Sequence, residues 1–371
     1  MSTVALSSKR SRFQIRCHYR PVLLIGMAAL LLCLFWFTSR YPQLLQKAAH
    51  VNKDVATMAY GKATFAVSAT APAWEQILIG ALNWLDGMKI GMSFGILFGA
   101  LLHTTLRYFP LKIGKNLYLN SLKGALIGAP MGVCANCAVP AACGITRGKG
   151  RIEVALGFLF SSPNFNPVVM FMTFTALPLA MGITKYAILL FTICVLVPGV
   201  IGWLEKRQGT ALESPSKLTG INETWDFTLD TECTEKLGPV AKEVFTDFGK
   251  HVWGLFKPTV TTMVLASLVS SVLLVLVPWP TLLANTSPLT MLLMSRLATL
   301  MPVPIALDVM FANQLQRQGV DSGYVMMFLM TLGVYSILPS IYLWREVSKP
   351  LAVILFGFFV LIGWGLGLIF S

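Results

Sequence analysis

Apolar runs of about 20 residues recur along the whole chain, each long enough to cross a bilayer as a helix. They lie at 21–38, 87–108, 117–145, 152–180, 185–203, 254–278, 287–314, 322–344 and 349–370. Two further stretches, Trp74–Trp84 and Val240–Phe256, carry apolar side chains at helical spacing just ahead of a run. That placement suits helices lying in the membrane interface. The pattern predicts an all-α polytopic membrane protein of about nine hydrophobic segments.

The layout repeats. A shift of 169 residues carries the starts 87, 117, 152 and 185 onto 256, 286, 321 and 354, close to the last four runs. It also sets Gly150 on Gly319, each in a polar turn between runs, and Asp308 on Val139 beside Pro140. One N-terminal helix followed by two four-segment repeats is a transporter-like plan. The expected divisions are 1–83 (anchor helix and extracytoplasmic segment), 84–203 (first repeat), 204–250 (cytoplasmic linker) and 251–371 (second repeat). The linker is polar: between Leu204 and Pro239, seven acids face four bases.

Charge then orients the segments. Lys9, Arg10, Arg12, Arg16 and Arg20 precede the first run, as for a retained helix with a cytoplasmic N-terminus. If 117–145 enters the membrane and returns on the same side, the Arg147/Lys149/Arg151 turn, the linker and the Arg345/Lys349 turn all share that side. This satisfies the positive-inside rule better than full crossing does. Each half then crosses an odd number of times, so the halves are inverted relative to each other.

Composition agrees. Of 371 residues, 55% are hydrophobic and only 12% charged, against roughly 25% charged in soluble domains. Mean hydropathy is +0.69. A soluble enzyme, a disordered chain and a disulfide-rich module are excluded. The net charge of +13 sits in short clusters between apolar runs, without a basic aromatic face, so nucleic acid is not an expected partner. Most of the seven Cys lie inside runs, which argues against a disulfide framework.

Candidate chemistry gathers where runs are interrupted. The window Gly128–Gly144 holds Pro130, Pro140, three Gly and three Cys. A helix broken at membrane depth must line protein or a watery cavity, so it is a candidate substrate site. Cys134 and Cys137 can share one face and Cys143 could join them. Inert packing, contact with a thiophilic substrate, and metal or redox chemistry stay open, because thiolates suit soft atoms but a structural metal site needs more ligands. A second break, Ser161–Pro167, places Ser162, Asn164 and Asn166 mid-run, where polar groups are costly unless they face a cavity or each other. The candidate substrate-binding set is Cys134, Asn136, Cys137, Pro140, Cys143, Ser162, Asn164 and Asn166. In the second half, Met301–Asp308 occupies the place of the Cys window. Asp308 is an acid deep in an apolar run, either a proton-coupling group or half of a structural pair, with Arg296 as its expected partner. Gly95-x-x-x-Gly99 and Gly124-x-x-x-Gly128 read as close helix packing.

The run Cys134-x-x-Cys137-x-x-Pro140, the basic turn after it, and Ala155-Leu-Gly-Phe-Leu-Phe-Ser-Ser-Pro-Asn-Phe-Asn-Pro167 together resemble the predicted permease family that includes organoarsenical efflux permeases. The resemblance extends in layout over about 80–350 and is specific over about 130–170. It implies a multi-pass permease of a bacterial cytoplasmic (inner) membrane. Secondary active efflux of a small solute, thiol-reactive if the Cys pair touches it, is the expected function. A passive channel, or a membrane redox protein using the Cys cluster, are the alternatives. No Walker A pattern or nucleophile motif supports an enzyme. Beyond the bilayer and a small-molecule substrate, a second copy of the chain is an open partner. No cofactor or metal is expected.

Overall fold

The computed structural model describes residues 19–49, 64–109 except 69, 114–209, 212, and 236–371 except 285. The basic cluster Lys9–Arg16, Cys17, Cys233 and most of the 204–250 linker lie outside the described residues. Among those described, the protein is all helix. Five helices are long and apolar enough to cross a membrane, six if one bent pair counts as a span, and two shorter apolar helices accompany them.

The N-terminal segment is α1 (Tyr19–Phe35), a π-helical stretch (Trp36–Arg40) and α2 (Tyr41–Ala49). Next come α3 (Ala73–Tyr108), α4 (Leu117–Gly128) and α5 (Ala135–Arg147). Then follow α6 (Ile152–Asn164), α7 (Pro167–Ala176), α8 (Leu179–Phe191) and α9 (Val197–Gln208). The second half holds α10 (Leu237–Leu276), the short α11 (Trp279–Leu283), α12 (Pro288–Leu300) and α13 (Leu307–Arg317). It ends with α14 (Ser322–Thr331), α15 (Ile337–Tyr342) and α16 (Lys349–Phe370).

Glycine contacts give the helix directions. Along α3, Gly91, Gly95, Gly99 and Leu106 meet Cys137, Pro140, Gly144 and Gly148 in that order, so α3 and α5 run parallel. Along α4, Ser121, Gly124 and Gly128 meet Gly157, Val154 and Ser161, so α4 runs parallel to α6. Because α6 starts where α5 ends, α4 rises from the end at which α3 finishes and α5 returns to it. At 12 residues α4 is about 18 Å long, too short for a hydrocarbon core of about 30 Å. The segment 117–145 is therefore a re-entrant hairpin. The close approaches at Gly95, Gly99 and Gly124, each against a neighbouring carbonyl, bear out these two motifs as packing sites.

The second half runs the other way. Thr104 faces His251 while Gly80 faces Ser271, so α10 is antiparallel to α3. Trp364 donates to the Pro288 carbonyl at 2.9 Å and Ser295 to that of Val360 at 2.7 Å, so α12 enters from the end where α16 finishes. Gly319 and Asp321 lie back at that end, the latter beside the C-terminal Ser371. Two hairpins thus enter from opposite ends. The end shared by α3 and α9 is basic and holds Arg107, Arg147, Arg151, Lys206 and Arg207. There Arg147 pairs with Glu346 at 2.7 Å and Arg151 with Glu205 at 3.5 Å, which joins the Arg147 turn, the linker's start and the Arg345 turn on one side.

The paired helices pack crosswise: α5 against α15, and its counterpart α13 against α7. Both hairpins end in the same turn. Gly150 N–H bonds Ile145 at 2.8 Å and Val320 N–H bonds Leu315 at 3.0 Å, with Lys149 (φ 59°) and Gly319 (φ 75°) in the left-handed region. This helix-terminating motif sets the register at 170 residues, one more than the sequence pattern gave. Lys149, not Gly150, is the counterpart of Gly319, and Asp308 falls on Ala138.

The segments ahead of the runs differ from expectation. Trp74–Trp84 and Val240–Phe256 are not separate interfacial helices; each is the first part of a longer continuous helix, α3 or α10. Trp84 is 1% exposed, its indole held by a carbonyl of the second hairpin. Residues 41–49, expected outside, instead reach the middle of the molecule, with Leu44 fully buried.

Candidate functional site

The two hairpin tips meet. Asn136 Nδ2 donates to the Val303 carbonyl at 3.3 Å, and Ser336 Oγ donates to Asn136 Oδ1 at 2.6 Å. One first-half side chain therefore binds both the second tip and the second-half break. Trp84 Nε1 donates to the Pro302 carbonyl at 2.9 Å from α3.

In the first tip, Gly132 takes φ 61°, a conformation that suits glycine, and turns the chain from α4 into α5. Cys134 caps α5, its Sγ accepting from Cys137 N–H at 3.3 Å. Both thiols are buried and free. Cys143 does not join them. It lies nine residues on, two and a half turns and about 13 Å further along α5, on the opposite face. Pro140 packs on Gly95 and Gly99 of α3. Among the described residues no group of three or more His, Cys, Asp or Glu could hold a metal.

The second break, where α6 and α7 meet at 48°, is built from its own polar residues. Asn166 caps α7, accepting from Val168 N–H at 3.0 Å. Asn164 Nδ2 donates to Phe160 at 3.1 Å, and its carbonyl accepts from Tyr186 at 3.2 Å. Ser162 Oγ accepts from Val133 N–H at 3.4 Å and so joins this break to the first tip. The structure brings Cys134, Asn136, Cys137, Ser162 and Asn166 to one centre, with Asn164 at its edge. Pro140 belongs to the α3–α5 contact, and Cys143 lies further along α5 toward Arg147 and Tyr342.

Asp308 is 3% exposed in the first turn of α13. Its partner is Lys185 of α8, whose Nζ meets Oδ2 in a fully buried ion pair. Arg296 is not the partner. The inner face of α12 is Met291, Met294, Ser295 and Ala298, and Arg296 points outward and is exposed. Asp308 also stands at an uncapped helix N-terminus, a favourable place for a carboxylate. Gly333, at φ 75°, admits it: a Cβ there would stand 3.3 Å from the carboxyl carbon. Sequence reasoning missed Lys185 because it was read as the boundary of a run; a lone cation inside 177–203 was the available signal.

The N-terminal segment completes the centre. Trp36 and Tyr41 donate to the Met131 and Pro130 carbonyls at 3.4 and 3.3 Å. Lys47 Nζ donates to the Ile305 carbonyl at 2.9 Å. Arg40, 7% exposed, has its guanidinium over the Phe35 ring at 4.9 Å.

Residues 63–371 match the model of a family described as Predicted permease. The chain belongs to that family. The match takes in both hairpins, both breaks and the Lys185–Asp308 pair, and starts after α1 and α2. UPF0718 protein YraQ of Escherichia coli (strain K12) is 24% identical over 304 residues, which cover 81% of this chain and 82% of the relative. No solved structure matches. Family membership speaks for a transporter rather than an enzyme.

Proposed function

We propose that the protein is a secondary active exporter of a small, thiol-reactive solute across the bacterial cytoplasmic membrane. Its substrate centre lies where the two hairpin tips meet. The carrying observation is that pair of oppositely entering hairpins, joined through Asn136, with a dithiol on one side and a buried acid–base pair on the other. Discontinuous helices meeting at mid-depth suit alternating access, since one half can rock against the other around a fixed site. By the positive-inside rule the basic end is cytoplasmic. The two thiols offer a soft atom its preferred ligands, and Asp308 is the coupling residue.

The test uses a sensitive bacterial host carrying the chain or an empty vector, grown in methylarsonous acid, with energised inside-out vesicles alongside. Resistance and protonophore-sensitive uptake in the vesicles are expected. Cys134→Ser or Cys137→Ser should lower resistance at unchanged abundance. Wild-type resistance in both variants would return the thiols to packing. Solute movement indifferent to protonophore would make the protein a passive pore.

A further inference from the structure

Five charged residues are buried among those described: Arg40, Glu153, Lys185, Asp247 and Asp308. Four have opposite charges at hand. Glu153 meets Arg151 at 2.6 Å, Asp247 meets Arg107 at 3.3 Å, and Lys185 meets Asp308. Arg40 has no such partner. Its Nε has no hydrogen bond, and no carboxylate pairs with it among the described residues. An unpaired guanidinium at this depth is strongly unfavourable, and residues of this kind mark substrate or ion pathways.

Its position is specified. Arg40 Nη2 would stand 3.0 Å from a Cβ at Gly91, where Cys137 Sγ also comes close at 2.8 Å. Arg40 Cγ would stand 3.4 Å from a Cβ at Gly132. Two glycines, one on α3 and one in the first hairpin tip, thus make room for this side chain beside the dithiol. Lys47, about two helical turns further along the same segment, brings a second cation. It is bound to a carbonyl, not to an acid, and both cations lie within electrostatic reach of Cys134. Among the described residues the centre therefore holds Arg40, Lys47 and Lys185 against Asp308 alone.

We infer that the N-terminal segment completes the substrate site and makes it an anion site, with Arg40 and Lys47 binding a small oxyanion beside Cys134 and Cys137. The inference rests on the permease reading and deepens it by naming the charge of the cargo. A guanidinium presents a planar fork of donors that matches an oxyanion, and a nearby ammonium adds a point charge. The segment that carries both cations lies before the residues matched to the family, so this selectivity belongs to the π-helical stretch and α2 rather than to the matched scaffold.

The experiment measures thermal stabilisation of the purified full chain in detergent by sodium sulfate, thiosulfate and methylphosphonate, at ionic strength fixed with sodium chloride. Saturable stabilisation is expected for at least one anion, with apparent affinity tenfold or more weaker in Arg40→Gln and in Lys47→Gln. Arg40→Lys should retain part of it. If Arg40→Gln aggregates, Lys47→Gln carries the comparison. Wild-type affinity in these variants, or no stabilisation by any of the three anions, overturns the inference. Flux of neutral methylarsonous acid in proteoliposomes, insensitive to Arg40→Gln and without anion binding, overturns it while sparing the permease reading. Anion binding without flux of any bound anion would support the anion site and count against the permease reading instead.

Discussion

Replacing Asp308 separates structure from coupling, because its partner is known. Asp308→Asn removes the charge and leaves Lys185, with its side chain 0% exposed, facing an amide. Removing one member of a buried pair costs about 3–5 kcal/mol, since the survivor has neither water nor a counter-ion. Against a typical stability of about 5–15 kcal/mol, that loss should show as reduced abundance and a lower melting temperature. Lys185→Met should cost a similar amount by stranding the carboxylate. The double variant Lys185→Met/Asp308→Leu removes both charges and fills much of the space with apolar atoms. It should recover stability to within about 1–2 kcal/mol of wild type, because a dry buried pair is often no better than a hydrophobic replacement.

The assays are melting temperature in detergent, membrane abundance and energised transport, all on the same four chains. A coupling role predicts that the double variant regains abundance but not proton-driven transport. A purely structural role predicts that it regains both. Normal abundance and normal transport in Asp308→Asn alone would refute the reasoning, since the pair would then contribute neither stability nor coupling. The variant Arg296→Met is the control. Arg296 is exposed and unconnected to Asp308, so its loss should shift stability by no more than about 0.5 kcal/mol.

Gly99→Leu should abolish accumulation in the membrane, because even a Cβ there collides with the Pro140 backbone; normal abundance would mean that α3 and α5 can separate. Single-Cys labels at 220 and at Arg345 should react from the cytoplasm and one at Gly319 from the opposite side, and an external label at 220 would sink the inverted arrangement. Charge reversal at Arg147→Glu should weaken the contact between the halves at the basic end, and adding Glu346→Arg should restore melting temperature, since the pair is bidentate and mostly buried.

Much of this architecture was legible because the bilayer imposes it. Nine apolar segments, two of them crowded with Pro and Gly, suffice to locate the breaks, and the distribution of Arg and Lys is enough to favour re-entry over full crossing. The glycine spacing of α3 and α4 foretold two close helix contacts. What escaped was pairing across the chain. Nothing in the local sequence joins Lys185 to Asp308, 123 residues away. Arg296 looked closer only because it lies on the same segment, whereas the helix period turns it to the outside. The polar residues after the first run read as an exposed stretch. The helix instead continues through a π-helical stretch at Trp36–Arg40 to Ala49, and hydropathy carries no signal for the contacts this continuation makes.

The polar side chains at the centre divide by the work they already perform. Freed backbone groups at membrane depth must find partners inside the protein. The carbonyls of Pro130, Met131, Pro302, Val303 and Ile305 are taken by Tyr41, Trp36, Trp84, Asn136 and Lys47. The N–H groups that open α5 and α7 are taken by Cys134 and Asn166. Asn164, Asn166 and Ser162 therefore have an occupation whether or not a solute is present, and their burial at the breaks is explained by the backbone they hold. The charges are different. Removing the Lys185–Asp308 pair or Arg40 would expose no backbone group, so backbone satisfaction gives no reason for them to be there. On the permease reading proposed above, with the amides of Asn136, Asn164 and Asn166 and the hydroxyl of Ser162 already committed, the choice of cargo is assigned to those charges and to the two thiols beside them.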